Sequence, residues 1–255
     1  MRKIFVLTMA LGALIAVSVA GISTADTVRV GNIEFTGEGG FSPKALPKKS
    51  MAPISLMAEG KIKTLDGTHP PALKEVLLET DKNGAVNVKG YPVCKSGKLQ
   101  STDTKAAEKA CKPAQIGSGT TKVEIEFPDS KPVLVTSKLL VFNGGFKGGP
   151  TTLYIHAYIT VPVPAAIVTT VKIKKVNKGR YGLLSKATIP KIAGGSGSVT
   201  YFKLKVGKQY RYKGKKVSIL TAKCTDGKLQ ARATAIFADG TPAKTEFIKP
   251  CTPKG

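Results

Sequence analysis

The chain has 255 residues, with 40 lysines and arginines against 16 aspartates and glutamates, a formal charge of +24 and a pI near 9.9. A surplus of this size bears on solubility, association rate and polyanionic partners rather than on fold. Beyond the N-terminal leader no segment is long and apolar enough to be read as a membrane-spanning helix.

Residues 1–25 read as an export signal. Arg2 and Lys3 form the basic start, Ile4 to Ala20 is largely apolar, and Ser23-Thr24-Ala25 fits a small-x-small cleavage site. The mature chain then starts at Asp26; cleavage after Ala20 is the second option and an uncleaved anchor the third. No cysteine stands at the cleavage point, which argues against lipid anchoring. Residues 26–50 read as an extended, partly ordered lead-in. Between 73 and 88 two alternating runs flank Asp81-Lys82-Asn83-Gly84, whose Asn-Gly pair suits a tight hairpin. Asp103 or Thr104 caps a short helix through Ala110. Val123, Ile125 and Phe127 alternate with Lys122, Glu124 and Glu126, the period-two signature of a strand. Residues 143–150 make a glycine-rich connection. Leu153, Ile155, Ala157, Ile159 and Val161 alternate against Thr152, Tyr154, His156, Tyr158 and Thr160. Phe202, Leu204 and Val206 alternate against Tyr201, Lys203 and Lys205, and residues 217–223 and 229–237 read as further strands.

These elements predict a mainly β, antiparallel β-sandwich built from two related disulfide-bearing β units. The first covers 51–148 and the basic second one 149–255, packed as one domain or two. The units share an echo: Cys94-Lys95-Ser96-Gly97-Lys98-Leu99-Gln100 and Cys224-Thr225-Asp226-Gly227-Lys228-Leu229-Gln230 are both CxxGKLQ, which reads as an old duplication. Cys94, Cys111, Cys224 and Cys251 form an even set in an exported chain and favour disulfides. Of three connectivities, Cys94–Cys111 and Cys224–Cys251 close the most local loops. A zinc site is the rival, weakened by the lack of CxxC or HxxxH spacing.

The charge is lopsided. Residues 1–129 hold 17 basic and 13 acidic side chains, whereas 130–225, a span of 96 residues, hold 18 basic and no acidic ones. Within it, Lys203, Lys205, Lys208, Arg211, Lys213, Lys215 and Lys216 interleave with Tyr201, Tyr210 and Tyr212. A hairpin turning at Gly207 gathers these lysines into one patch, and Lys172, Lys174 and Lys175, with Lys178 and Arg180, extend it. Such a surface attracts phosphates and sulfates through counterion release. Two plainer roles compete: a solvated lysine-rich surface, and lysines that protect sheet edges from aggregation.

Signals for chemistry are sparse. His69, in Asp66-Gly67-Thr68-His69-Pro70-Pro71, is a loop histidine that could act as a base. Tyr154, His156 and Tyr158 share a strand face that could stack on a sugar or a base, although packing against a neighbouring element is the commoner use of such a face. GxSxG, HExxH and GxxxxGK[ST] are absent, and Gly194-Gly195-Ser196-Gly197 lacks the strand–elbow–helix spacing of a hydrolase nucleophile.

Asp66 to Leu73, Ile189 to Ser198, and Cys224 through Ala231 resemble segments of an uncharacterised family of exported basic proteins from actinobacteria. The resemblance runs over most of the mature chain. It implies export from a high-GC Gram-positive cell and brings no site residue. The expectation is a secreted or envelope-associated protein without a catalytic role that binds an anionic envelope polymer or acidic polysaccharide through its basic β face. It needs no cofactor or metal, recognises no specific nucleic acid, and touches membranes peripherally at most. The alternatives are a secreted hydrolase using His69 or His156, and a structural protein-docking module.

Overall fold

Apolar residues at every second position commit most of this chain to strands with one buried face. The computed structural model describes residues 26–146 and 148–255; the leader lies outside the described residues. The elements begin β1 (Asp26–Val30), β2 (Ile33–Ser42), β3 (Ala45–Pro47), β4 (Ala52–Pro53), β5 (Ser55–Thr64), β6 (Leu73–Asp81) and β7 (Gly84–Val86). After α1 (Thr104–Cys111) come β8 (Gln115–Phe127), β9 (Ser130–Gly145), β10 (Thr151–Ile159), β11 (Ala165–Lys178) and β12 (Tyr181–Thr188). The last are β13 (Gly197–Val206), β14 (Gln209–Tyr212), β15 (Lys215–Ser218), β16 (Leu220–Ala222), β17 (Lys228–Phe237), β18 (Pro242–Pro250) and β19 (Thr252–Lys254).

Twelve strands form one antiparallel sheet in the order β1-β2-β5-β13-β8-β9-β10-β11-β12-β6-β17-β18. Its edges meet, with β18 packing beside β1 and β2, so the sheet curls into a barrel. The predicted antiparallel β class is present, but one sheet facing itself replaces the two facing sheets of a sandwich. Both architectures carry the same period-two signal, and only long-range register separates them. Strands from the two predicted units interleave: β13 lies between β5 and β8, and β17 lies beside β6.

Other local expectations change in the same way. The lead-in is part of the wall, with Ile33–Ser42 paired in full register to Ser55–Thr64. A turn forms at 81–84, where the Asn83 amide donates to Asp81 Oδ1 at 2.9 Å. No hairpin follows, because β7 leaves to pair with β16. The helix is capped as expected: the Asp103 carboxylate accepts from the Ala106 amide at 2.8 Å. Both expected disulfides form, Cys94–Cys111 and Cys224–Cys251, so the four thiols are not available to zinc. The two CxxGKLQ copies differ in structure. The first makes a 3₁₀ turn at Ser96–Lys98, while the second runs into β17. They share a cysteine position and not a conformation.

One end of the barrel, called the top here, is capped by the small sheet β4-β16-β7. Leu46, Ile54, Val88, Ile219 and Leu220 are buried in the apolar cluster of that end. At the opposite end Phe35, Leu73 and Phe237 pack together as a floor. Outside the wall, α1 and the Cys94–Cys111 loop cover Leu140 and Phe142 of β9, making a satellite core.

Candidate functional site

The inward residues of the barrel do not fill it. A cavity of about 420 Å³ lies within the wall. A closed sheet widens as strands are added, and about eight strands already give an interior that side chains only just fill. Twelve strands leave room. Small side chains enlarge it further: Ala231, Ala233 and Ala235 of β17 face inward in succession and line the cavity with Leu153, Ile155 and Ile159 of β10. Thr80, Thr121, Thr169, Ser185 and Thr221 are the hydroxyl-bearing side chains on the lining, and Thr121 is already committed as a donor to the Tyr201 carbonyl at 2.8 Å. An aliphatic chamber with few polar groups favours an apolar guest, because a polar one loses hydrogen bonds to water that the wall does not replace.

The outer wall is polar and its charges are matched more closely than the acid-free span implies. β6 carries Glu75, Glu79 and Asp81 and sits between β12 and β17. Lys186 meets Glu75 at 2.6 Å, Lys178 meets Glu79 at 3.1 Å, and Arg180 meets Asp81 at 2.6 Å and also grips Asp226. Burial raises the pKa of Glu79, but Arg232 and Lys178 outweigh it and hold the carboxyl below its usual value. Carboxylates remote in sequence thus neutralise part of the basic half.

Of the ten basic residues expected to hold a polyanion, Lys203 pairs with Glu59 at 3.0 Å. Among the described residues Lys205, Lys208, Arg211, Lys213, Lys215, Lys216, Lys172, Lys174 and Lys175 are exposed and make no ion pair within 4.0 Å. They are not one strand pair. β13 ends at Val206, and the hairpin is β14–β15, turning at Lys213-Gly214 with both residues at positive φ. Tyr210 anchors that hairpin to the top cap through an edge-on contact with Tyr91 and a hydrogen bond to the Lys89 carbonyl at 2.6 Å. Lys172 and Lys174 stand on β11, four strands farther around the sheet from β13.

The histidines occupy different surroundings. His156 is completely buried beneath the satellite core, and its Nε2 donates to the Thr102 carbonyl at 2.8 Å. Burial pushes its pKa down. The Tyr154, His156 and Tyr158 face is therefore covered around its centre and offers no open stack of three rings. His69 lies near the floor, where its Nδ1 is 2.8 Å from Glu124 Oε1. The neighbouring Ser198 hydroxyl donates instead to the Pro70 carbonyl at 2.5 Å. Among the described residues no hydroxyl or thiol is hydrogen-bonded to the His69 ring, so the imidazole–carboxylate pair has no aligned nucleophile of the acyl-transfer type. Nor does any group of three or more His, Cys, Asp or Glu side chains converge to hold a metal ion among those residues.

No protein-family model, curated protein or solved structure matches the chain. The chamber was not legible as a site, since its residues read individually as ordinary core. The run Ala231, Ala233, Ala235 was the available signal, with small side chains at three successive inward positions.

Proposed function

We propose that the protein is an exported binding protein that encloses a small apolar molecule in its barrel. The observation that carries this reading is the 420 Å³ chamber with its aliphatic lining, which falls within the usual range for small-molecule sites. Two disulfides agree with an oxidising compartment, and the basic, small-residue leader supplies the route. The test uses the neutral probe N-phenyl-1-naphthylamine, helped by the absence of tryptophan from the chain. The protein should bind it with micromolar affinity. Ala233→Phe, which places a ring in the chamber, should weaken binding at least tenfold. Absence of probe binding by the unmodified protein would defeat the reading.

A second reading concerns the outside. Arg211, Lys213, Lys215 and Lys216 crowd one short exposed hairpin without carboxylate partners within 4.0 Å among the described residues. We infer that this hairpin tethers the barrel to an anionic envelope polymer. Changing these four residues to glutamine should bring elution from an anionic matrix to a distinctly lower salt concentration, because each lost phosphate contact flattens the salt dependence. Unchanged elution would remove the tether and leave the chamber reading intact.

A further inference from the structure

The hydroxyls on the chamber wall are not spread evenly. Thr80 and Ser185 line the chamber from the neighbouring strands β6 and β12. Thr80 stands opposite Leu183 and Ser185 stands opposite Leu78, so the two are diagonal neighbours. Such neighbours lie about 7–8 Å apart, a gap that one polar group of a guest can bridge. Both belong to the cap end, since Thr80 is the penultimate residue of β6. Thr221, on β16 of the cap, borders the same chamber. Its strand pairs with β7, which packs beside β12. Thr169 lies apart from these three. Ser185 pairs with Ile173, and Thr169 stands four residues back along β11, roughly 13 Å toward the floor.

The three upper hydroxyls are also unengaged. Thr121 donates to the Tyr201 carbonyl, but among the described residues Thr80, Ser185 and Thr221 make no side-chain hydrogen bond. Nor are their oxygens sealed in the wall: the one buried side-chain polar atom without a partner among those residues is His156 Nδ1. They are open to the chamber that they line. The backbone beside Thr80 and Ser185 is spent in the ladders of β6, β12 and β17, so a guest's polar group is met there by side chains.

Space is kept beside them. Ala231 stands directly opposite Thr80 on its other flank. Below Thr80 the lining continues as Leu78, Val76 and Leu73 on β6, with Ala233 and Ala235 on β17. This apolar track runs roughly 23 Å along the strand. Asp81 borders the cap end too, with its carboxylate already met by Arg180 and by the Gln230 and Asn83 amides. An anionic guest would bring a second negative charge out of water beside it, at a heavy cost in solvation.

Building on the chamber as a ligand site, we propose that its guest is a neutral, mainly aliphatic molecule bearing one hydroxyl or carbonyl group. Thr80, Ser185 and Thr221 hold that group at the cap end, and the apolar body lies along Ala233 and Ala235. An alcohol and a ketone share this chemistry, because serine and threonine hydroxyls both donate and accept.

The test takes the chain from Asp26 onward, which carries the whole described fold. Its probes are decane, 1-decanol, 2-decanone and decanoate, with affinities read from displacement of N-phenyl-1-naphthylamine. In Thr80→Val/Ser185→Ala, 1-decanol or 2-decanone should bind at least tenfold more weakly than to the unmodified protein, because its polar group is left unpaired. Decane should change less than twofold. Decanoate should bind the unmodified protein at least tenfold more weakly than 1-decanol. Intermolecular NOEs on the unmodified protein supply a measurement that needs no variant. The C1 methylene of 1-decanol should contact the Thr80 and Ala231 methyls, and its terminal methyl those of Val76 and Ala235. No selective loss of either polar probe, the loss appearing in Thr169→Val instead, or the C1 methylene lying beside Val76 and Ala235 would overturn the hydroxyl assignment and leave the chamber reading standing. Decanoate binding as tightly as 1-decanol would overturn the neutral guest. Failure of all four probes to bind would sink the chamber reading itself.

Discussion

Replacing Asp81 with alanine should lower stability by about 3–5 kcal/mol, the cost of removing one partner from a buried ion pair. Asp81 is 3% exposed at the upper end of β6. Its carboxylate accepts from Arg180 Nε at 2.6 Å, from the Gln230 amide at 3.0 Å and from the Asn83 amide at 2.9 Å. Those donors belong to the approach to β12, to β17 and to the turn that sends the chain into the cap. Alanine would leave them without an acceptor and leave Arg180 held by Asp226 and the Lys228 carbonyl alone. A domain of this size loses about 2–4 °C of Tm per kcal/mol, so thermal unfolding should begin roughly 10 °C earlier. Asp81→Asn keeps an acceptor for the amides and should cost less. A double-mutant cycle with Arg180→Gln separates the ion pair from the amide contacts. A change within about 0.5 kcal/mol for Asp81→Ala, the usual range for surface substitutions, would show that the site tolerates loss of the carboxylate and would refute its role as a rim tie.

This same carboxylate explains where sequence reasoning stopped. Alternation along Leu153–Ile159 gave the strand and its inward face, because that pattern is a local property of each strand. The cap at Asp103 and the two short disulfide loops were equally local. Nothing near Asp81 in the chain predicts Arg180, 99 residues away, or Glu59 opposite Lys203. The acid-free span looked like a cationic plate because charge was counted along the chain, while the sheet order brings β6 beside β12 and β17. The hairpin was misplaced for a related reason. Gly207 and Gly214 both adopt positive φ, and only pairing with Ser218 decides which one makes the turn. The chamber was hidden most deeply. A closed barrel and a sandwich spend the same residues on their inner faces, and an internal void exists only once strand number and closure are known.

The second large effect concerns the two disulfides, which should fail in different ways. Chain entropy alone gives each a comparable value, about 3–4 kcal/mol for loops of this length. Their positions differ. Cys224–Cys251 joins the loop between β16 and β17 to the residue after β18, and the Cys251 amide donates to the Gly227 carbonyl at 2.9 Å. Cys251 immediately precedes β19, which pairs with β3. Cutting this bridge frees the last wall strand, so the Cys224→Ser/Cys251→Ser variant should lose about 3–4 kcal/mol in one cooperative transition. Cys94–Cys111 instead clamps α1 to the outside of β9 and β10. Without it, Cys94→Ser/Cys111→Ser should release the satellite core first, while the barrel melts near its original temperature. Hydrogen exchange decides between the two modes. The first variant should lose protection across β17, β18 and β2 together, whereas the second should lose it in α1 and the Leu99 turn, with the His156 segment exposed. A single global transition for Cys94→Ser/Cys111→Ser, at a temperature as low as for the other pair, would mean that the helix is integral to the barrel rather than docked upon it.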